Sequence, residues 1–223
     1  MASDEIINLS FHGVGTPPGP PREPGEHDYW VDRDGFLSIL DEVQGWDDLR
    51  LSFDDGNVSD VEIALPALVE RGMTADFFVV AGRLGTPGNV DAGGVRALRV
   101  AGMRVGTHGM DHRSWRGLDN DDLAVELVEA REAIAQAAGS TVDAAALPLG
   151  QYDRTVLAAL RKRDYRVVYS SDARRARTGA WFQPRYSVRA GETPQSLRDT
   201  VLTPPRTRER LRGHLAGIAK RWR

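Results

Sequence analysis

Residues 49–56 have the sequence LRLSFDDG, an apolar, strand-like run that ends in two adjacent carboxylates. Residues 107–112, with the sequence THGMDH, follow another strand-like run farther along the chain. One carboxylate and two imidazoles, with further coordination positions left to water, are a usual ligand set for hydrolytic zinc. The two segments therefore predict a metal site with a second carboxylate beside it.

Strand-like and helix-like stretches alternate on both sides of residues 49–56. Helical spacing of apolar residues predicts helices over 58–71, with Pro66 as a kink, over 119–138, capped by Asp119 or Asn120, and over 154–163. The strand-like runs are 6–11, 49–53, 75–80, 104–107, 142–147, 166–169 and 182–188. This alternation favours βα units around a parallel sheet, and seven strands fit a barrel better than a small open sheet.

The composition limits the classes of protein to consider. A chain of 223 residues can form a sizeable core, and we expect a single domain over 1–223. With 29 basic and 32 acidic side chains the net charge is −3, so we expect no nucleic-acid partner. Because the chain has no cysteine, disulfides and thiolate ligands are excluded, and His, Asp and Glu remain as transition-metal ligands.

Several stretches of the sequence bear on where in the cell the protein acts. Residues 1–5 are acidic where a secretory signal is basic, and the apolar run 6–11 is too short for a signal core, which predicts a cytoplasmic protein. No apolar run approaches membrane-spanning length, so no integral membrane segment is expected. The arginine-rich stretch 206–223 predicts a basic helix that closes the barrel, with contact to an anionic membrane or substrate as the alternative.

Polar groups follow several of the predicted strands. In parallel βα folds the carboxyl ends of the strands face one mouth, where ligands bind. The groups at these ends are His12, Asp54, Asp55, His108, His112 and the segment 148–150. Each has an ordinary alternative: Asp-Asp-Gly is also a turn and helix-entry sequence, and two histidines four residues apart also occur as a solvated or capping pair.

The acidic and histidine motifs resemble those of polysaccharide deacetylases with a NodB homology domain, carbohydrate esterase family 4. The resemblance covers about residues 6–202 and implies an α/β fold, a distorted (β/α)7 barrel, with metal-dependent deacetylase activity. The family's Phe-Asp-Asp-Gly motif implies Asp54 as the catalytic base and Asp55 as a metal ligand. Its His-(Ser/Thr)-x-x-His motif implies His108 and His112 as the other ligands, with Gly109 where Ser or Thr is usual.

Two catalytic positions depart from the family's pattern. Ala146 stands in place of the arginine that orients the base, and we expect Arg185 to replace it, with a structural ion pair as the alternative. The family's Leu-x-His motif supplies the general acid, but it falls at 202–204 and lacks its histidine. His12 is the candidate acid because histidine has a suitable pKa, and substrate binding or loop capping is the alternative.

The predicted chemistry is hydrolysis of an amide. A divalent cation on Asp55, His108 and His112 would lower the pKa of water and polarise the carbonyl, while Asp54 takes the proton. The resemblance places a backbone N–H for the developing oxyanion at Leu149. Two imidazoles and one carboxylate favour zinc, although the same ligands accept cobalt, nickel, manganese or iron.

Four aromatic side chains are candidates for a substrate wall. Tyr29 and Trp30 lie in a stiff, proline-rich loop over residues 15–32. Trp115 follows the second histidine, and Trp181 lies near the family's fourth motif. Rings of this kind stack on sugar faces, which suits a small-molecule or glycan substrate. The alternative for each is a ring packed in the core.

The leading hypothesis is a metal-dependent hydrolase that removes an N-acetyl or similar acyl group from an N-acetylated sugar, glycan or glycan precursor. The first rival is a metal- or carbohydrate-binding barrel with weak or lost catalysis, because Ala146 and the missing histidine depart from the pattern. The second rival is a hydrolase of another non-peptide C–N bond, in a ureide or a cyclic amide, because related barrels share the metal centre.

Overall fold

The main sheet of the protein curls into a nearly closed barrel. The computed structural model describes residues 4–202. Within this range the strands are β1 (Glu5–Phe11), β2 (Gly13–Val14), β3 (Trp30–Val31), β4 (Leu49–Phe53), β5 (Ala75–Val79), β6 (Arg104–Thr107), β7 (Ala144–Ala146), β8 (Val167–Ser170), β9 (Ala176–Arg177), β10 (Phe182–Pro184) and β11 (Tyr186–Ser187). The order is β10-β8-β7-β6-β5-β4-β1-β11 with all pairs parallel, while β9 pairs antiparallel with β1 and β2 pairs with β3. The predicted α/β barrel is confirmed.

One interrupted strand closes the barrel. β10 pairs with β8 and β11 pairs with β1, and only Arg185 lies between β10 and β11. The N–H of Arg185 still donates to the carbonyl of Ser170 at 2.9 Å, so this residue keeps its place in the ladder. The predicted strand over 182–188 is thus present but broken at Arg185, and its two parts form the seventh position of the barrel.

Helices connect the strands and pack outside them. Those of the described residues are α1 (Arg33–Val43), α2 (Leu65–Glu70), α3 (Ala92–Val100), α4 (Asn120–Ala124), α5 (Ala130–Ala138), α6 (Arg154–Lys162) and α7 (Pro194–Leu202). Short 3-10 turns occur at Glu26–Tyr29, Ala81–Arg83 and Pro148–Gly150, and π-helical turns at Asp60–Ala64 and Val125–Glu129. Each π-helical turn runs directly into an α-helix, so the predicted helices over 58–71 and 119–138 each contain one.

Carboxylate caps explain where the helices begin. The side chain of Asp119 accepts from two N–H groups of α4, and that of Asp153 accepts from the first turn of α6, as the sequence predicts for the former. Asp32 and Asp91 cap α1 and α3 in the same way. The helices α1, α3 and α7 were not predicted, although the Asp caps at α1 and α3 are a readable signal. Pro66 lies at the start of α2, where the π-helical turn ends.

Aromatic rings fill the layer between the sheet and α1. Phe53 stacks on Phe11 at 5.3 Å and on Phe77 at 4.7 Å between ring centroids, and Phe36 of α1 meets Phe11 edge-on at 5.2 Å. Such pairs add about 0.5–1.5 kcal/mol each beyond the burial of their area. Because Phe53 ends β4 and immediately precedes Asp54 and Asp55, this packing fixes the strand end that the two carboxylates follow.

Some sequence predictions concern residues outside the described range. The basic helix over 206–223 lies outside it, as do the second and third positions of the motif at 202–204. Within residues 4–202, no helix has both the length and the apolar character that a bilayer crossing requires.

Candidate metal centre

Three predicted ligands meet at the carboxyl ends of β4 and β6. One donor atom from each of Asp55, His108 and His112 lies within 4.8 Å of the other two. Oδ1 of Asp55 is 3.2 Å from Nε2 of His112 and 3.7 Å from Nε2 of His108. That oxygen is buried and has no hydrogen-bond partner within residues 4–202. An unpartnered carboxylate oxygen facing two imidazole nitrogens fits a divalent cation such as zinc.

The backbone is left-handed at residues that border this cluster. φ is 77° at Asp55, 52° at His112 and 56° at Leu149. Such a conformation costs about 1–3 kcal/mol at a residue with a side chain, and it concentrates at functional sites. Hydrogen bonding beyond the strand ends supports the cluster, because the N–H of His108 donates to the carbonyl of Val79 at 2.8 Å. The surrounding structure therefore overrides the local backbone preference.

The pKa values of the two imidazoles are shifted in opposite directions. Burial, together with the charge of His112, lowers the pKa of His108 to about 4, and its Nδ1 lies 2.9 Å from the carbonyl oxygen of Ala146. A neutral His108 therefore donates from Nδ1 and presents the lone pair of Nε2 to the cluster. Burial alone would also lower the pKa of His112, but its contacts with Asp55 and Glu23 raise it above the usual value.

Both carboxyl groups of the acidic motif are ionised at neutral pH. Burial alone would raise the pKa of Asp55, but the close contact with His112 and the charges of the neighbouring imidazoles lower it below the usual range. Burial alone would also raise the pKa of Asp54, but the guanidinium of Arg185 lowers it below the usual value. The cluster can therefore offer one carboxylate to a cation and a second one to a proton.

Asp54 and Arg185 form a buried bidentate ion pair. Nη1 of Arg185 donates to Oδ1 of Asp54 at 2.7 Å, and Nη2 donates to Oδ2 at 2.6 Å. Nη1 also donates to Oγ of Ser52 at 2.9 Å, and Arg185 is only 1 % exposed. The arginine proposed to replace the one missing at Ala146 therefore lies on the predicted base, and its role in catalysis stays a prediction.

The break between β10 and β11 directs this guanidinium into the barrel. Its central carbon lies 5.4 Å from the ring centroid of Phe78 and 5.5 Å from that of Tyr169. Both rings belong to the same buried cluster as Ala146. A small side chain at position 146 thus leaves interior volume to Arg185, which enters from a different strand.

His12 reaches the same cluster from the end of β1. Its Nε2 lies 4.0 Å from Oδ2 of Asp54, and its ring centroid lies 4.8 Å from that of Tyr29. Nδ1 of His12 is buried without a hydrogen-bond partner within residues 4–202. Arg189 donates to the hydroxyl of Tyr29 at 3.0 Å and holds that ring in place. The structure thus brings His12 and Tyr29 to the predicted base.

A cleft of about 250 Å³ opens onto these residues. The predicted site residues that line it are His12, Tyr29, Asp54, Asp55, His108, His112, Leu149 and Arg185. Leu149 lies at the mouth and is 53 % exposed. The loop that carries it is anchored below, because the hydroxyl of Tyr152 donates to Asp172 at 2.8 Å. One cleft therefore combines the predicted metal ligands, the predicted base and the predicted acid.

The three tryptophans predicted as substrate walls lie elsewhere, which corrects that expectation. Trp30 is buried against the backbone of Gly13. Trp115 is fully buried in a second core cluster. Trp181 packs under Arg161 and donates from Nε1 to a backbone carbonyl outside the cleft. Trp30 and Trp115 therefore follow the core alternative, whereas Trp181 is partly buried and packs against the second core cluster away from the cleft lining.

Glu126 supports the histidine loop and was not predicted. This fully buried carboxylate accepts from the N–H of Met110 at 2.7 Å, Nε1 of Trp115 at 3.1 Å and Nε of Arg113 at 2.9 Å. A side chain at Gly109, where φ is 85°, would place its Cβ 2.3 Å from Oε2 of Glu126. Glu126 therefore occupies the space that a Ser or Thr side chain at position 109 would need. In the sequence, Glu126 could have been recognised as a charged residue among the apolar positions of its helical segment.

Glu23 contacts the cluster and pairs with Arg83, and neither residue was predicted. Oε1 of Glu23 lies 2.6 Å from Nδ1 of His112 and accepts from Nη2 of Arg83 at 2.6 Å. Glu23 belongs to the proline-rich loop, whose path across the cleft does not follow from its sequence. The structure thus adds a carboxylate behind one of the ligands.

Comparisons with known proteins find a matching family model and similar folds. A family model for polysaccharide deacetylases matches residues 44–168. The deacetylase PplD of Streptococcus pyogenes, in complex with acetate, has a similar structure with a TM-score of 0.77 and 18% identity, covering 90% of this chain and 99% of that chain. BC0361, a polysaccharide deacetylase from Bacillus cereus, has a TM-score of 0.75 and 16% identity, covering 88% of this chain and 68% of that chain.

A curated relative, YxkH of Bacillus subtilis (strain 168), is 20% identical over 172 residues. The alignment takes in 71% of this chain but only 62% of YxkH, so the chain spans about three fifths of that relative's length. At these identities the solved structures support the fold alone.

The family model gives the stronger result, because it matches more than half of the chain. The matched segment contains Asp54, Asp55, His108 and His112, whereas Arg185 lies beyond it. The resemblance inferred from the motifs is confirmed: the chain belongs to the polysaccharide deacetylase family.

Proposed function

We propose that the protein is a metal-dependent hydrolase that removes an N-acetyl or similar acyl group from an N-acetylated sugar, glycan or glycan precursor. The observation that carries the proposal is the juxtaposition of the Asp54–Arg185 ion pair with the cluster of Asp55, His108 and His112 in one cleft. Membership in the polysaccharide deacetylase family supports the same reaction. A cytoplasmic location remains a prediction.

Zinc is the proposed cation, held by Asp55, His108 and His112. When bound, zinc supplies a Lewis acid that polarises the amide carbonyl and lowers the pKa of water. Burial of Asp55 and His108 favours this role, because their donor atoms are then withheld from bulk solvent. Nδ1 of His108 is engaged by the carbonyl of Ala146, which leaves Nε2 as the ligand atom.

Asp54 is the proposed general base. Its carboxylate takes a proton from the attacking water as the water oxygen bonds to the amide carbon. Arg185 donates to both carboxylate oxygens, yet each oxygen keeps a lone pair that can accept a hydrogen bond from the attacking water. The ion pair therefore holds the base in one orientation and keeps it ionised until the reaction occurs.

His12 is the proposed general acid. Its Nε2 lies 4.0 Å from Oδ2 of Asp54, so the acid and the base border one reacting centre. As the C–N bond breaks, a protonated His12 donates to the departing nitrogen, and a carboxylic acid and a free amine result. Tyr29 packs against the imidazole and lines the cleft in which the substrate would bind.

The backbone N–H of Leu149 is the proposed donor to the developing oxyanion. Leu149 lies in the turn Pro148–Gly150, at the mouth of the cleft. A donor that is fixed before the reaction stabilises the new charge without reorganisation at the moment of reaction. The hydrogen bond between Tyr152 and Asp172 would keep this turn in place.

Acetate release from a panel of N-acetylated sugars and their oligomers tests the proposal. The purified chain, loaded with zinc or cobalt, should release acetate and lose this activity on chelation. Asp54→Asn should abolish turnover while zinc binding persists. Binding of glycans without turnover, unaffected by Asp54→Asn, would favour the binding barrel, and turnover of cyclic amides or ureides alone would favour the other C–N hydrolase.

A further inference from the structure

The proline-rich loop carries a carboxylate that contacts a predicted metal ligand. Oε1 of Glu23 lies 2.6 Å from Nδ1 of His112, although the two residues are 89 positions apart in the chain. Nε2 of the same imidazole lies 3.2 Å from Asp55. Glu23 therefore engages the ring nitrogen that faces away from the cation site, while the other nitrogen faces it.

Arg83 holds this carboxylate from the other side. Nη2 of Arg83 donates to Oε1 of Glu23 at 2.6 Å, from the 3-10 turn that follows β5. The side chains of Arg83 and Glu23 are 19% and 29% exposed, so the pair is partly shielded from solvent. One oxygen thus accepts from a guanidinium and an imidazole together, and hydrogen bonds from charged donors of this kind are stronger than those between neutral groups.

The loop around Glu23 is attached to the barrel at further points. Arg22 donates to the side-chain oxygens of Asn57 and Asn89, each at 2.8 Å. Pro18 packs against the backbone at Gly88. These contacts of Pro18 and Arg22 attach the loop to the barrel just before Glu23. The carboxylate that contacts His112 is therefore held by an anchored segment.

We propose that Glu23 is a positioning residue of the metal centre. It holds His112 with a proton on Nδ1 and the lone pair of Nε2 directed at the cation, so the proline-rich loop forms part of the metal site. A carboxylate behind a histidine ligand fixes the ring and raises its basicity, and removal of such a partner costs about 10–100-fold in metal affinity. The inference depends on the metal centre of the proposed function but not on the proposed reaction.

Zinc affinity, measured by competition with a chelator and without substrate, tests this role. Glu23→Ala should weaken zinc binding by about 10–100-fold. Glu23→Gln should weaken it less, because the amide oxygen still accepts from Nδ1 while the charge is lost. Glu26→Gln is the matched control, since Glu26 lines the same cleft but pairs with Arg22 rather than with His112. This control should bind zinc as the wild type does.

A spectroscopic measurement separates positioning from general stability. In the zinc-loaded wild type, the Nδ1 proton of His112 should give a nuclear magnetic resonance signal that exchanges slowly with water, and Glu23→Ala should lose it. Wild-type affinity in Glu23→Ala, equal losses in Glu26→Gln, or a retained proton signal would each overturn the inference. Zinc binding by a wild type that releases no acetate would contradict only the proposed activity, whereas a wild type that binds no zinc would contradict both.

Discussion

Arg185 and Asp54 are 131 positions apart in the chain, yet they form a bidentate ion pair with bonds of 2.7 and 2.6 Å in the barrel interior. The pair depends on the fold at two points. Asp54 follows β4 directly, and Arg185 occupies the single position at which the closing strand passes from β8 to β1. The strand break that closes the barrel thus also orients the predicted base.

Loss of this arginine should impair both activity and stability. Arg185→Met leaves the Asp54 carboxylate buried and uncompensated, which should cost about 3–5 kcal/mol in the free energy of unfolding. Arg185→Lys keeps the charge but not the bidentate geometry, so it should fold and show a lower kcat with little change in KM. Denaturant unfolding and acetate-release kinetics measure these effects, with the exposed Arg177→Met as the control. Wild-type kcat in Arg185→Lys would contradict the orienting role.

Substitution of the base should separate chemistry from metal binding. Asp54→Asn removes the proton acceptor but keeps the size of the side chain, and it should lower kcat by about 10²–10⁴-fold. Because Asp54 lies outside the cluster of donor atoms, bound zinc should remain. Kinetics together with metal analysis of the same sample test this expectation. Full activity in a variant that retains its zinc would assign the base elsewhere.

His12 should be required for turnover, and a second histidine nearby should not. His12→Ala removes the imidazole beside Asp54 and should lower kcat by about 10²–10⁴-fold if His12 is the acid. The control is His27→Ala, because His27 is exposed and lies in the 3-10 turn close to Tyr29. A rise in KM at unchanged kcat in His12→Ala would assign His12 to substrate binding, which is the alternative for this residue.

Gly109 should tolerate no side chain while Glu126 is present. Gly109→Ser combines a φ of 85° with a Cβ 2.3 Å from the buried carboxylate, so it should destabilise the protein by more than the roughly 1–3 kcal/mol of backbone strain. Gly117→Ser is the matched control, since φ is 80° there and no atom lies within 4 Å of the added Cβ. A double-mutant cycle with Glu126→Ala should show coupling between positions 109 and 126. Additive unfolding free energies would contradict the proposed match.

The fold and the metal cluster were largely predictable because they follow from local pattern and from one topological rule. Strand-like runs ended in polar residues, and parallel strands present their carboxyl ends at one mouth. Asp55, His108 and His112 therefore converge as predicted, although nothing in their spacing gives the distances. The place of Arg185 was predictable from its position at a later strand end.

The supporting residues were harder to predict because their contacts depend on tertiary packing. Glu23 reaches His112 only through the path of a loop, and loop paths are set by anchors distant in sequence. Glu126 lies on a helix whose register against the histidine loop decides its partners. Trp115 failed as a substrate wall for a similar reason, since sequence does not determine which side of a turn a ring occupies.

Metal content of the purified chain tests the central claim most directly. After zinc loading and dialysis, the wild type and the exposed control His27→Ala should retain about one zinc ion per chain, as a single mononuclear site requires. His108→Ala should lose that ion, because it removes the ligand that is buried and neutral at the centre of the cluster. Retention of zinc by His108→Ala with wild-type stoichiometry, or absence of zinc from the wild type, would contradict the metal centre.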